Sequence, residues 1–132
     1  MKFISLIKTK DPHNKPHNPD AEKETLKAEF KSAFRAGEGR LGETHFFYRY
    51  FINVKFIPWD KICKAYLRVE SGESGEFLLK EFYLMLYFDD LGKMEEAKLR
   101  FEREENARYI LEYLTEHYPH VEVGYKKKRD QL

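Results

Sequence analysis

The sequence HFFYRYFINVKFIPWDKICKAYLRVESGESGEFLLKEFYLMLYFDD, residues 45–90, contains the only tryptophan and most of the phenylalanines and tyrosines of the chain. Aromatic and β-branched side chains are enriched in β-strands. Turn-forming residues divide the segment into four apolar runs, namely HFFYRY, VKFIP, KICKAYLRVE and EFLLKEFYLMLYF. We therefore expect three or four consecutive strands here, and the rest of the chain is interpreted around them.

The third run, Lys61–Glu70, alternates between apolar and polar positions. Successive strand side chains point to opposite faces, so the pattern predicts a strand buried on one face only. The buried set should be Cys63, Ala65, Leu67 and Val69. On that face the Cys63 thiol should be inert. The solvent face should carry Tyr66, Arg68 and Glu70.

The fourth run is apolar at both odd and even positions from Phe77 to Phe88, which is typical of a central strand covered on both faces. Turns should separate the strands. Asn tolerates positive φ, so we place a tight turn at Phe51–Asn53. Pro58 should end the second strand because it has no N–H for the ladder. Residues 71–75, SGESG, predict a flexible loop.

A helix is predicted over residues 20–36, with an apolar stripe spaced for one helical face. The stripe consists of Leu26, Phe30, Ala33 and Phe34. Gly37 should end this helix. The glycine-rich residues 37–42 are interpreted as a loop. They lie between a helix and a strand and lack a following Gly-Lys-Ser/Thr, which disfavours nucleotide binding.

Residues 94–101 fit either a helix or a strand, and the turn at residues 90–93 favours a returning strand at about Glu96–Glu102. The clearest helix is Glu104–Tyr118, ended by Pro119. Its apolar positions are Ala107, Ile110, Leu111, Leu114 and Tyr118. A short final strand is expected at residues 121–123, followed by a basic tail at 126–132.

The first 19 residues predict a short strand at 3–9 and a proline-rich loop at 11–19. His13 and His17 are four residues apart, but Pro16 disfavours the helix that would bring them together. We expect a solvated linker rather than a metal site. The whole chain, 1–132, should be a single domain: residues 1–19, a helix at 20–36, a core at 41–125 and the tail.

Charge is nearly balanced, with 24 Lys+Arg against 23 Asp+Glu and a net charge of +1. This balance disfavours nucleic acid and acidic membranes as partners. No run approaches the length of a transmembrane segment. A single cysteine excludes an intramolecular disulfide and favours a cytoplasmic location. No metalloprotease, Cys-x-x-Cys or Gly-x-Ser-x-Gly motif occurs, so we expect no enzyme activity and no cofactor.

Several antiparallel strands followed by an amphipathic helix resemble the pleckstrin-homology-like (PH-like) fold. The segments FIPWDKICKAYLR (56–68) and LTEHYPHVEVGY (114–125) also resemble small bacterial domains of this type. The resemblance implies a bent antiparallel β-sandwich or barrel capped by a C-terminal helix, here with an additional N-terminal helix. Phosphoinositide-binding members use a basic loop between their first two strands. Residues 51–53 lack such a cluster, so phosphoinositide binding is not expected.

We expect a non-catalytic module that binds a protein partner or a second copy of itself. The predicted interaction face consists of Arg49, Tyr66, Arg68 and Glu70. Arginine and tyrosine are enriched at binding hot spots. A competing interpretation pairs Arg68 with Glu70 or Glu81 as a surface ion pair of little energetic value. Two alternatives stay open: nucleic-acid binding through an aromatic and basic sheet face, and a small enzyme of unrecognised type.

Overall fold

The computed structural model describes residues 2–5, 19–74 and 77–125. Within these residues the chain forms an α+β fold with two helices and nine strands. In chain order the elements are β1 (Lys2–Ser5), α1 (Pro19–Ser32), β2 (Phe34–Ala36), β3 (Gly39–Leu41), β4 (His45–Tyr50), β5 (Asn53–Pro58), a short 3-10 turn (Trp59–Lys61), β6 (Ile62–Ser74), β7 (Phe77–Asp90), β8 (Lys93–Phe101), α2 (Glu104–His117) and β9 (Glu122–Tyr125).

The strands form two sheets that do not close into one barrel. The first has the order β1-β5-β4-β3-β2 and the second the order β8-β7-β6-β9. Pairing is antiparallel between chain neighbours, but β1 runs parallel to β5 and β9 runs parallel to β6. The sheets are therefore mixed, where we expected only antiparallel pairing. β1 and β9 are each separated from their partner strand by a helix, and such crossovers permit parallel pairing.

The main core is formed by the facing sides of the two sheets and by one face of α2. Phe46 and Tyr48 contribute from β4, and Leu84 and Leu86 from β7. The helix contributes the fully buried Ala107, Ile110, Leu111 and Leu114. Trp59 lies in the same core, and its indole Nε1 donates a hydrogen bond to the Gly42 carbonyl at 2.8 Å. The predicted helix and its packing face are confirmed.

A smaller apolar cluster lies on the opposite face of the first sheet, beneath α1. Phe47, Val54 and Phe56 form its buried part, because alternate residues of β4 and β5 point away from the main core. Leu26, Phe30 and Ala33 of α1 pack against them. The first sheet is thus covered on both faces, whereas the outer face of the second sheet faces solvent.

Two predicted boundaries around α1 are wrong. The helix ends at Ser32 rather than at residue 36, and residues 37–42 are not a loop, because β2 and β3 form a hairpin there. Gly37 supplies the positive φ (64°) of the hairpin turn. Phe34 leaves the helical stripe, is 57% exposed and lies against Tyr109 of α2. Backbone pairing between neighbouring strands overrides the helical spacing of Phe34.

Three details of the central strands also differ from prediction. The positive φ of the β4–β5 turn belongs to Phe51 (57°), not to Asn53. β6 continues to Ser74, so most of the loop predicted at 71–75 is strand. The register of β6 against β7 shifts between Ile62 and Lys64. This bulge turns Cys63 out of the core, and the cysteine is half-buried rather than buried.

Other predictions hold. β8 is a strand, which resolves the ambiguity at residues 94–101, and β5 ends at Pro58. β7 is central in its sheet, between β6 and β8. His13, His17 and the basic tail at 126–132 lie outside the described residues.

Candidate functional site

Three large apolar or aromatic side chains are exposed at the turn between β4 and β5. Tyr50 is 50% exposed, Phe51 79% and Ile52 84%. We call these three residues the β4–β5 tip. Phe51 has a φ of 57°, a left-handed conformation that costs a side chain with a Cβ atom roughly 1–2 kcal/mol. The fold keeps a bulky residue where glycine or asparagine would be less strained.

The surroundings of the tip are basic. The Lys55 ammonium lies 4.2 Å from the centroid of the Tyr50 ring, and Arg49 precedes the tip on β4. No acidic residue occurs between positions 45 and 58. The tip is therefore an apolar projection on a positively charged hairpin.

A cleft of about 440 Å³ lies beside the tip, between α1 and the first sheet. Three arginines and three phenylalanines dominate its lining, and we call it the arginine cleft. The lining residues are Phe30, Arg35, Gly37, Glu38, Arg40, Phe47, Tyr48, Arg49 and Phe51. Phe51 belongs to both features, so the tip and the cleft form one continuous surface.

Strand register brings the arginines together. Arg35 of β2 lies directly opposite Arg40 of β3, and Arg40 lies directly opposite Phe47 of β4. Arg49 is two residues beyond Phe47 and therefore on the same face as Arg40. Directly opposed side chains in an antiparallel pair have Cβ atoms about 4.5–5.5 Å apart, and diagonally related residues lie about 7–8 Å apart, with their Cβ atoms somewhat closer. The three cations are thus forced close together.

Two of the arginines are held in place by backbone carbonyls. Arg35 Nε donates to the Gly37 carbonyl at 3.1 Å, and Arg40 Nη1 donates to the Phe30 carbonyl at 3.3 Å. The Arg40 guanidinium also lies 4.2 Å from the centroid of the Phe30 ring, in cation–π contact. The remaining N–H groups of each guanidinium stay available to a ligand.

Among the side chains that the structure describes, no carboxylate lies within 4.0 Å of a guanidinium nitrogen of Arg35, Arg40 or Arg49. Glu38 lines the cleft, but its Oε2 accepts a hydrogen bond from the Glu102 backbone N–H at 3.0 Å. The cleft therefore has a net positive charge.

The wall of the cleft depends on the position of α1, which Glu29 fixes. Its carboxylate accepts hydrogen bonds from the Thr44 backbone N–H (2.8 Å), the Thr44 hydroxyl (2.7 Å) and the His45 backbone N–H (2.8 Å). His45 Nδ1 lies 3.1 Å from Oε1. A Cβ atom at Gly42 would collide with this carboxylate and with the Phe47 ring. This Glu29 clasp joins α1 to the loop before β4.

The clasp also perturbs the acidity of Glu29. Burial raises the pKa of the carboxyl, but hydrogen bonds from Thr44 and His45 outweigh it, and the net pKa lies below its ordinary value. The charged form is therefore the one that the fold stabilises.

The outer face of the second sheet contains most of the predicted interaction face. Arg68 Nε lies 2.9 Å from Glu70 Oε2. The same oxygen accepts a hydrogen bond from Lys98 Nζ at 3.1 Å. Arg100 Nε lies 3.7 Å from Glu81 Oε2. The ion-pair interpretation of Arg68 is therefore the one that the geometry supports.

Tyrosines on the same face are likewise engaged with their neighbours. The Tyr66 ring stacks on the Tyr87 ring with centroids 6.0 Å apart, and the two hydroxyls are 3.4 Å apart. Tyr83 donates a hydrogen bond to Glu81 and lies under the Lys98 ammonium. The hydrogen bond between the Tyr66 and Tyr87 hydroxyls raises the pKa of Tyr87.

The structure brings together three of the four predicted site residues. Tyr66, Arg68 and Glu70 share one face of β6, as expected, but Arg49 lies in the other sheet and lines the arginine cleft. Arg35 and Arg40 were not identified from sequence. The β2–β3 hairpin was the missing signal, because only its register places these two residues opposite each other.

Within residues 19–74 and 77–125, no group of three His, Cys, Asp or Glu residues is placed to hold a metal ion. In the same part of the chain, no helix has the length and apolar character needed to cross a bilayer.

Comparison with curated proteins and with solved structures found no match. A family model does match, and it covers residues 11–132, which include the β4–β5 tip, the arginine cleft and the Glu29 clasp. The chain accordingly belongs to the family described as "Domain of unknown function (DUF6709)".

Proposed function

We propose that this chain is a non-catalytic PH-like module that binds a partner protein through the β4–β5 tip. The order of the elements supports the PH-like assignment. Four consecutive strands, β2–β5, form an antiparallel meander, three more, β6–β8, form a second, and α2 follows and packs into the core. β1, α1 and β9 are additions to that order. The half-buried free thiol of Cys63 fits a cytoplasmic setting.

The exposure of Phe51 and Ile52 carries the proposal. These side chains are about four-fifths exposed, so folding removes little of their apolar surface from water, and a partner that covered them would gain that free energy. Aromatic anchors that enter a partner's pocket commonly dominate binding energy. The strained φ of Phe51 fits the same interpretation, because backbone strain is retained mainly where function requires a particular side chain.

A protein partner is preferred over nucleic acid on this geometry. Of the aromatic residues that could stack bases, Tyr48 is buried in the core and Tyr66 stacks on Tyr87. Arg68 is already paired with Glu70. A sheet surface for base stacking is therefore less well supported than a projecting apolar tip.

Affinity capture with tip variants tests the proposal. The Phe51→Asn/Ile52→Ser double variant removes the apolar projection, while Leu91→Asn is its matched control. Leu91 occupies the β7–β8 turn with a φ of 55° and is 62% exposed. A partner identified by quantitative mass spectrometry is then purified and titrated calorimetrically.

We expect the affinity to fall more than tenfold for the double variant and to stay unchanged for Leu91→Asn. Equal affinity of the wild-type and double-variant proteins would contradict the proposal. Light scattering on both proteins shows whether the partner is a second copy: a concentration-dependent dimer that the double variant cannot form is the outcome expected in that case.

A further inference from the structure

We infer that the arginine cleft binds an extended acidic segment of a protein, with carboxylates on alternate residues. The inference deepens the proposed function and rests on it for the ligand being a protein. It names the charge and the spacing that the partner presents beside the tip. Its support comes from the cleft rather than from the exposed apolar side chains.

The first support is electrostatic. Like charges directly opposite each other on neighbouring strands destabilise a sheet, and Arg35 faces Arg40 in this way. Arg49 adds a third positive charge on the same face of the sheet, and no described carboxylate lies within 4.0 Å of any of the three guanidinium groups, although Glu38 also lines the cleft. An acidic ligand would turn this repulsion into attraction. Guanidinium groups bind carboxylates through paired N–H donors.

The second support is spacing. In an extended chain the side chains on one face repeat every second residue, or about 6.8 Å at 3.4 Å per residue. The diagonal relation of Arg40 and Arg49 corresponds to a separation of about 7–8 Å, and somewhat less between their Cβ atoms. Carboxylates two residues apart on a bound segment would therefore each meet one guanidinium.

The third support is the apolar lining between the cations. The Phe30 and Phe47 rings contact each other edge to face with centroids 5.5 Å apart, and Phe51 borders the cleft on the side of the tip. A small polyanion has no apolar surface to place against the aromatic rings that line the cleft beside these arginines. The geometry favours a chain with apolar side chains among its acids over a small isolated anion.

Fluorescence polarisation with labelled synthetic peptides tests the inference. The probe peptide EFEIE carries alternating acids, and QFQIQ is its uncharged counterpart. The full chain is compared with the Arg35→Gln/Arg49→Gln double variant, which leaves the Arg40 contacts with α1 intact. Arg68→Gln/Arg100→Gln is the matched control, because both residues are exposed and lie on the outer face of the second sheet. Thermal unfolding verifies that every variant is folded.

We expect EFEIE to bind the wild-type protein and the control variant with equal affinity. Its affinity for the cleft variant should be at least tenfold lower. The uncharged peptide QFQIQ should not bind measurably. Raising the salt concentration should weaken binding, since the attraction is between charges. Arg49→Lys should retain part of the affinity, because it keeps the charge but loses the paired donors.

Three results would overturn the inference: equal binding of EFEIE and QFQIQ, equal binding to the wild-type and cleft-variant proteins, or no binding of the acidic peptide. Inorganic pyrophosphate and vesicles of anionic phospholipid are tested in parallel. If pyrophosphate or the vesicles bound in an arginine-dependent way and more tightly than EFEIE, the inference would also be overturned.

Tip-dependent capture of a partner alongside any of these results would leave the proposed function standing. Capture that does not depend on the tip, with acidic-peptide binding intact, would instead contradict the proposed function and support the arginine cleft.

Discussion

The outer faces of the two sheets use the same kinds of side chain to opposite effect. On the second sheet, Arg68 and Arg100 each have a carboxylate within 4.0 Å, and Lys98 shares Glu70 with Arg68. On the first sheet, Arg35 faces Arg40, and no described carboxylate lies within 4.0 Å of either guanidinium group. Both faces also contain aromatic rings. The charged side chains on the second sheet are bonded to one another, and those that line the arginine cleft beside α1 are not.

The difference shows that arginine and aromatic residues do not identify a binding surface by themselves. What matters is whether strand register supplies each cation with a partner. In β6 an acid follows Arg68 two residues later, on the same face. In β2 and β3 the register sets arginine against arginine instead. The charges on the outer face of the second sheet are paired with one another, whereas Arg35 and Arg40 of the first sheet have no such ion pair among the described residues.

The largest effect should come from the core that both sheets share. Leu111 and Leu114 are fully buried between α2 and the sheets. Truncating either to alanine should cost about 2–5 kcal/mol of unfolding free energy, since buried leucines leave a cavity. Chemical denaturation measures the loss. Leu79→Ala, at a half-exposed position, is the control and should stay within about 0.5 kcal/mol. Unchanged stability of both core variants would contradict the packing of α2.

A smaller effect, confined to the first sheet, is expected from Glu29→Gln. The amide cannot accept all the hydrogen bonds that Thr44 and His45 donate, so we expect a loss of about 1–3 kcal/mol. Glu24→Gln is the matched control on the same helix, because Glu24 is exposed and lies 3.9 Å from Lys27. Equal stabilities of the two variants would show that the clasp does not hold α1.

The effect of Glu29 should depend on pH with a defined sign. The folded pKa is depressed, so the carboxylate contributes fully above its unfolded pKa of about 4.3 and loses its contribution as the pH falls through the folded value. The stability difference between wild type and Glu29→Gln should shrink as the pH falls below about 4.3. Denaturant titrations at several pH values measure it, and a difference that grows in acid would contradict this assignment.

At the tip we expect stability and binding to change in opposite directions. Phe51→Asn relieves a left-handed φ that Asn tolerates, so the unfolding free energy should stay level or rise by about 1 kcal/mol. The same change should weaken partner binding. Leu91→Asn should produce the stability change without the binding change. A clear loss of stability in Phe51→Asn would mean that the ring supports the hairpin.

The smallest changes in unfolding free energy should have opposite signs on the outer faces of the two sheets. Arg68→Gln breaks an exposed ion pair and should destabilise by at most about 0.5 kcal/mol. Arg35→Gln removes a like-charge contact and should stabilise by a few tenths of a kcal/mol, roughly. High salt should reduce both changes. If both substitutions changed the unfolding free energy in the same direction, the proposed electrostatic difference between the two faces would be contradicted.

Periodicity within single segments was enough to predict α2, β6, the central position of β7 and the shared outer face of Tyr66, Arg68 and Glu70. These features depend on local alternation, which the sequence contains. Ser32 as the end of α1 could not be predicted, because Phe34 continues the helical stripe and is diverted only by pairing with Leu41. The bulge that turns Cys63 out of the core likewise depends on the register against β7.

The site was predicted less well than the fold, because it too depends on strand register and not on local alternation. Arg35, Arg40 and Arg49 are spread over 15 positions and show no local pattern. They become neighbours only through the β2–β3 and β3–β4 registers, and Phe30 joins them only through the docking of α1. Arg49 was grouped with Tyr66 because the two residues were expected to lie on neighbouring strands of one sheet. Their placement in different sheets is a property of the tertiary structure.

The parallel pairing of β9 with β6 sets an order of events during folding. It joins Lys64 to Glu122, which are far apart in the chain, so closing this loop costs more conformational entropy than closing a hairpin. We therefore expect the pairing to form after the hairpins of the second sheet. Until then, β6 presents a row of unpaired amides to any other chain. The packing of α2 brings β9 within reach of that row. In the folded chain, β9 therefore covers the edge of β6 at Lys64–Leu67, where another chain could otherwise pair.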